Sequence, residues 1–272
     1  MNWLESLLYG LVSGFTEFLP VSAAAHQSLM QRIFGAEGTL DFRNLLVHSA
    51  ILAALCFSCR PIFSGLRNQP ATALRGRTRA PRRAPELRIV RTAAVPILLS
   101  FAVSPMIKGL SDHLLLLALF LVLNGLVLFA QGRMYCGNKT AGAMSGWDSL
   151  LIGLGGALAV LPGISRIGTA VTVAVGRGAD RQHSLDWSLL LSIPALVVII
   201  IIDLFGVFAN GTGVSTVAEF LTCLLSAAGS CCGGYFGIML MRFLAVKTGF
   251  SGFSYYSWGA ALFSVVLYLT VV

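Results

Sequence analysis

Ser13-Gly14-Phe15-Thr16-Glu17-Phe18-Leu19-Pro20-Val21-Ser22-Ala23-Ala24-Ala25-His26 is the stretch that decides how this chain folds. It sets a carboxylate, hydroxyls and an imidazole inside an otherwise apolar segment. A charge at the centre of a bilayer costs roughly 2.5–3.5 kcal/mol on insertion scales alone, so Glu17 is not expected to face lipid. Pro20 removes a backbone donor and breaks any helix through it. Broken backbone at membrane depth survives only when buried in protein or lining a wet cavity. The stretch therefore reads as the tip of a re-entrant hairpin that carries polar chemistry.

The rest of the composition makes that setting the expected one. The chain has 272 residues, 56% hydrophobic and only 11% charged, with a mean hydropathy of +0.82. A soluble domain carries about 25% charged residues. The apolar stretches are of helix length, not the alternating ten-residue strands of an outer-membrane barrel. The net charge of +8 does not point to nucleic acid, because nine of the nineteen basic residues sit in one segment. Arg60, Arg67, Arg75, Arg77, Arg79, Arg82, Arg83, Arg88 and Arg91 make residues 60–91 a basic loop. The positive-inside rule makes it cytoplasmic, with affinity for anionic membrane lipids as an added role. Cys56-Phe57-Ser58-Cys59 has the spacing of a metal or redox pair but lacks a second pair or a nearby histidine, so it reads as filler. Met1 to Val12 lacks the basic start and the small-residue cleavage site of a signal peptide.

Outward from the opening stretch, Asn2 to Val12 is too short to span, since crossing takes about 20 residues. With Ala23 to Phe34 it forms a helix–break–helix hairpin over residues 2–34. Leu40 to Cys59 is the first full span. Val90 to Leu110 returns, bent by Pro96 and Pro105, and Leu114 to Gln131 crosses again. Trp147 to Val175 is interrupted by Leu161-Pro162-Gly163-Ile164-Ser165-Arg166-Ile167-Gly168, a second hairpin over residues 147–176 with a charge at its tip. Leu185 to Phe208, Val217 to Phe243 and Phe253 to Val272 complete six full spans. With the basic loop inside, fifteen of the nineteen basic residues are cytoplasmic and both termini lie outside.

The expected fold is thus an all-α polytopic membrane protein, a single membrane domain over residues 1–272, with six transmembrane helices and two re-entrant hairpins. The hairpins enter from opposite sides, giving an inverted-topology repeat, one unit over about residues 1–110 and the other over about 147–245. Transporters use this arrangement to bring broken helices together near the midplane.

Glu17 and Arg166 lie on separate tips that the topology brings together. A guanidinium fork and free N–H groups at a helix start make an anion site; the same two charges can instead simply tie the hairpins together. His26, nine residues beyond Glu17, fits a nucleophile, general acid or proton relay, or a hydrogen-bonded core histidine. Ser22, Thr16 and Ser165 either offer hydroxyls to phosphate or cap broken helix ends, with capping or packing the expectation for Thr16. His48 reads as core packing or as a contact behind the site, with core packing the expectation, and Asp203 as solvated near an outer boundary. The glycines Gly153, Gly155, Gly156, Gly229, Gly233, Gly234 and Gly237 read as sites of close helix packing.

At these residues the sequence resembles the undecaprenyl-pyrophosphate phosphatase family, also called the bacitracin-resistance proteins. Its first motif runs approximately E-G-x-T-E-F-L-P-V-S-S-x-G-H and its second P-G-x-S-R-S-G. Thr16-Glu17-Phe18-Leu19-Pro20-Val21-Ser22 with His26 matches the first; Pro162-Gly163-Ile164-Ser165-Arg166 with Gly168 matches the second. The resemblance implies a hydrolase that removes one phosphate from undecaprenyl pyrophosphate at the outer face of a bacterial plasma membrane. That reaction regenerates the lipid carrier of peptidoglycan and cell-wall synthesis. It implies Glu17, Ser22 and His26 as catalytic residues, with Glu17 also the ligand of a divalent cation, Mg²⁺ or Ca²⁺. Arg166, Ser165, Gly163 and Thr16 would bind the pyrophosphate. A homodimer is an expectation alongside the lipid substrate.

Four positions depart from the motifs. Ser13 stands where the family has its first acid, Ala23 where it has the second serine, Ala25 where it has glycine, and Ile167 where it has a serine. One carboxylate holds a hard cation less firmly than two. A polyprenyl-phosphate binding protein or flippase without hydrolysis is the competing expectation.

Overall fold

A computed structural model of the chain describes residues 1–35, 41–67, 85–107, 109–211, 213–247 and 249–271. Leu40, Lys108, Val272 and the middle of the basic loop, with Arg75, Arg77, Arg79, Arg82 and Arg83, lie outside the described residues. The described residues form helices α1 (Trp3–Phe18), α2 (Ala23–Ile33), α3 (Asp41–Ser58), α4 (Arg60–Arg67), α5 (Pro85–Ser100), α6 (Leu114–Gln131), α7 (Gly146–Ala157), α8 (Arg166–Gly176), α9 (Arg181–Asn210), α10 (Val217–Lys247) and α11 (Gly252–Val271). Three of them, α6, α9 and α10, are long and apolar enough to cross a membrane. The all-helical, polytopic character read from the sequence is borne out. Two boundaries differ. Residues 60–67 and 85–91 of the basic loop are helical, as α4 and the start of α5. The returning segment expected over Val90 to Leu110 is helical only to Ser100, with short 3₁₀ turns over Ser104–Ile107 and Leu110–Asp112 after it.

Both helix–break–helix units start the same way. Asn2 caps α1 and exchanges hydrogen bonds with Glu5, while Ser145 caps α7 and exchanges them with Asp148. Each box satisfies amide donors that a helix start leaves bare. Each first helix then ends just short of its proline. α1 stops at Phe18, before Pro20, and α7 gives way to a 3₁₀ turn over Leu158–Val160, before Pro162.

The packing repeats too. α1 lies along α10, and α7 lies along α5; α3 meets α9, and α6 meets α11. At both of the first two contacts a glycine lets backbones touch. A Cβ on Gly233 of α10 would sit 2.2 Å from the Leu11 carbonyl oxygen, and one on Gly153 of α7 would sit 2.3 Å from that of Ala93. Between helices in lipid, such close approach supplies the dispersion contact that hydrophobic burial does not. The close-packing role read for these glycines is what the coordinates show.

Polar residues bridge the helices at a few buried points. Arg43 of α3 donates to Ser6 Oγ of α1 at 2.8 Å and to Ser226 Oγ and Thr222 Oγ1 of α10 at 2.7 and 3.1 Å. Asp203 is not solvated, contrary to the sequence expectation. It pairs with His48 Nδ1 at 2.6 Å, its side chain 13% exposed. The reason is length: α9 runs to Asn210, which keeps Asp203 inside the helix and against α3. The six cysteines are free.

Candidate active site

The two breaks meet. Leu19-Pro20-Val21-Ser22 and Leu161-Pro162-Gly163-Ile164-Ser165 are hydrogen-bonded to each other in both directions. The Gly163 N–H donates to Ser22 Oγ at 3.0 Å, and Ser165 Oγ donates to the Leu19 carbonyl at 3.2 Å. A third partner ties them from the side. Asn124 of α6, fully buried, accepts from the Ser165 N–H at 2.9 Å and donates to the Pro20 carbonyl at 2.9 Å and to Ser257 Oγ at 3.1 Å. Four of the backbone groups freed by two broken helices are thus satisfied by protein, as hydrocarbon surroundings demand.

Asn124 was not singled out from the sequence, although a lone amide in Leu114–Gln131 is a signal of the same kind as Glu17. Replacing it by leucine leaves the Pro20 carbonyl and the Ser165 N–H buried without partners. Each such loss is worth about 1–3 kcal/mol. Asn124→Leu is therefore expected to lower the thermal unfolding midpoint of the detergent-solubilised protein well below that of a lipid-facing control such as Leu119→Ala. Equal midpoints would mean the tips hold without it.

The tip junction frames a cavity of about 90 Å³ lined by Glu17, Ser22, Ala23, Ala24, Ser165 and Arg166, with Ala159, Ile164 and Ile199 closing it. The space is several times what one water needs. Glu17 and Arg166 form an ion pair across the junction, their side chains only 9% and 10% exposed. The pair uses one terminal nitrogen of the guanidinium, and Arg166 Nε is buried without a partner. Ser22 is the one non-glycine residue with a left-handed backbone among the described residues, at φ 68°. Such a conformation costs of order 1–3 kcal/mol and persists where surrounding structure enforces it. Here the bond from Gly163 and the Pro20 turn enforce it.

The two second helices begin at this cavity with different caps. Ser165 caps α8 by accepting from the Gly168 N–H at 3.2 Å. Ser22 precedes α2 but makes no side-chain cap bond, because its hydroxyl oxygen is turned to Gly163. The first amides of α2, at Ala23 and Ala24, thus start at the cavity without a side-chain cap. Helix starts carry partial positive charge and bare N–H groups that suit an anion. Arg166 adds a guanidinium whose charge Glu17 offsets and whose remaining nitrogens are left to donate.

Of the residues singled out from sequence, Glu17, Ser22, Ser165 and Arg166 come together at this cavity. Thr16 and Gly163 do not line it. Thr16 Oγ1 donates to the Val12 carbonyl one turn back at 2.7 Å. Gly163 reaches the junction only through its N–H, at φ 109° with Phe120 Cβ 2.6 Å from where a Cβ would lie.

His26 is also elsewhere. It faces a groove between α2 and α11. Its Nδ1 lies 2.8 Å from the Ser22 carbonyl oxygen and its Nε2 lies 2.7 Å from Tyr256 Oη. A carbonyl only accepts, so Nδ1 carries a proton and, in the neutral ring, Nε2 accepts from the tyrosine. The rings stack at 5.6 Å with 11° between planes. Nothing in the sequence places Tyr256 beside His26, 230 residues away.

The donor set does not fit a cation held by protein alone. No group of three or more His, Cys, Asp and Glu side chains converges among the described residues. The cavity's one carboxylate is compensated by Arg166. Ser13 is fully buried, its hydroxyl without a partner, and it does not line the cavity.

Residues 6–263 match the family described as "Bacitracin resistance protein BacA". A relative from Carboxydothermus hydrogenoformans called undecaprenyl-diphosphatase is 28% identical, over 95% of this chain and 94% of its own length. One of the same name from Methanobrevibacter smithii is 29% identical over 95% of each chain. Undecaprenyl-diphosphatase 1 of Shouchella clausii is 31% identical over 72% of each.

Proposed function

The chain belongs to the bacitracin resistance protein BacA family, and on that premise we propose that it hydrolyses undecaprenyl pyrophosphate to undecaprenyl phosphate and phosphate at the outer face of a bacterial plasma membrane. The observation that carries this reading is the convergence on one cavity of Arg166, the start of α8 and the uncapped start of α2. Two helix starts and a guanidinium that Glu17 engages through one nitrogen only offer several N–H donors to an anion with many oxygens. Water supplies the hydroxyl that ends on the released phosphate, and the bond that breaks joins the bridging oxygen to the terminal phosphorus.

In this reading Arg166 grips the terminal phosphoryl oxygens through the nitrogens that Glu17 leaves free. The α2 amides take a further share of the charge. Ser22, Glu17 and His26 are the groups available to attack phosphorus or move protons, and Ser165 orders the α8 start against Leu19. The divalent cation implied by the resemblance is proposed to arrive as the diphosphate's own counter-ion, with Glu17 as its single protein ligand. This suits Mg²⁺, which is usually held by one or two carboxylates together with substrate phosphates.

The membrane arrangement belongs to the same proposal. Residues 2–34 and 147–176 form re-entrant hairpins entering from opposite sides, with both termini outside and the 60–91 loop cytoplasmic. The exchanged contacts of α1 with α10 and α7 with α5 support an inverted repeat.

The test is phosphate release from undecaprenyl pyrophosphate by the purified full chain in detergent, with Mg²⁺, with Ca²⁺ and with chelator. Cation-stimulated release is expected. Lipid bound in an Arg166-dependent way with no phosphate released under any of these conditions would make this a binding protein or flippase instead.

A further inference from the structure

Resting on the diphosphatase reading, we infer that the groove between α2 and α11 holds the isoprenoid chain of the substrate next to its diphosphate. The groove has a volume of about 460 Å³. Two matched stripes line it. Leu29, Met30 and Ile33 follow His26 on α2, and Gly259, Ala260 and Phe263 follow Tyr256 on α11. Both run at i, i+3, i+4, i+7, the spacing of one helix face. A second hollow of about 550 Å³ continues past Tyr256 to Phe253. Pockets of roughly 300–1,000 Å³, apolar with a few placed polar groups, are the usual form of small-ligand sites.

What singles out the substrate's chain, over an ordinary lipid or a second copy, is the polar end of the groove. His26 Nδ1 is bonded to the Ser22 carbonyl, and Ser22 lines the Glu17–Arg166 cavity. The groove and the anion cavity are therefore neighbours along α2, with Ser22, Ala23 and Ala24 lining the cavity and His26 and the residues after it lining the groove. A ligand that is a diphosphate at one end and a linear run of isoprene units at the other matches that sequence of surroundings. It would pass the His26–Tyr256 pair where head becomes chain. An acyl lipid has no reason to put a diphosphate in the cavity.

Gly259 provides the test. A Cβ there meets no atom within 4 Å, so Gly259→Leu leaves the helix packing alone and fills the groove. With the full chain in detergent, kcat/KM is compared on undecaprenyl pyrophosphate and on short-chain geranyl pyrophosphate. The loss on the long substrate is expected to outstrip that on the short one about tenfold, mainly through KM. Retention of undecaprenyl phosphate by native mass spectrometry is expected to fall in step. Equal losses on both substrates, or unchanged retention, would overturn the assignment. So would a switch from dimer to monomer in Gly259→Leu with the long-to-short ratio preserved, which would give the groove to a second copy. If the unaltered chain released phosphate from neither substrate, hydrolysis would fall. A Gly259→Leu loss of undecaprenyl phosphate retention would still carry the groove.

Discussion

Replacing Arg166 by glutamine is expected to cut phosphate release from undecaprenyl pyrophosphate by at least about a hundredfold, the effect of removing one strong donor from developing charge. Arg166→Lys is expected to recover little, because a single ammonium cannot reproduce two parallel N–H bonds to phosphoryl oxygens. The variant has a structural complication that can be turned to use. Glu17 is 9% exposed and paired with Arg166. Removing one member of a buried ion pair costs about 3–5 kcal/mol by stranding the other. Arg166→Gln should therefore also lower the unfolding midpoint, and the double variant Glu17→Gln with Arg166→Gln should restore most of it by removing the stranded charge. Activity should stay lost in the double variant. A double variant that regained both stability and phosphate release would mean the pair only ties the two tips together.

That duality was visible in the sequence, and so was much of the frame around it. A carboxylate and a guanidinium in apolar segments, each beside a proline, announce two buried breaks. The breaks at Pro20 and Pro162 sit where they were placed. What one-dimensional information lacks is helix phase relative to a neighbour. Asp203 reads as solvated because it lies near the end of an apolar run, yet α9 continues to Asn210 and presents it to His48. Asn124 offers an amide, but nothing along α6 tells that its partners are the carbonyl of one tip and the amide of the other. Ser22 looks like a helix cap, and it precedes a helix. Its hydroxyl instead serves the opposite tip, which leaves the α2 start open at the cavity. The anion site arises from that exchange between tips, not from either motif alone.

His26→Ala is expected to lower phosphate release by about 10²–10⁴-fold, the usual worth of a positioned acid or base. The geometry makes this the most discriminating substitution in the molecule, because the ring stands outside the cavity with both nitrogens engaged. Its Nδ1 is fixed by a backbone carbonyl that no substrate can displace without unwinding the start of α2. Its Nε2 is held only by the Tyr256 hydroxyl, from a side chain half exposed on the face of the groove. A ligand entering along that groove can take the tyrosine's place, so Nε2 is the nitrogen free to work. Tyr256→Phe keeps the ring stack and removes only that hydroxyl. It should therefore lose much less than His26→Ala, within about tenfold of the unaltered chain, since one neutral hydrogen bond contributes about 0.5–1.5 kcal/mol. Similar large losses in both variants would mean that the His26–Tyr256 pair acts as a unit. Full activity in His26→Ala would reduce the histidine to a brace between Ser22 and α11, leaving Ser22 and Glu17 of the cavity as the proposed reactive side chains. In that outcome Ser22→Ala, which also frees the Gly163 N–H, becomes the substitution that removes turnover.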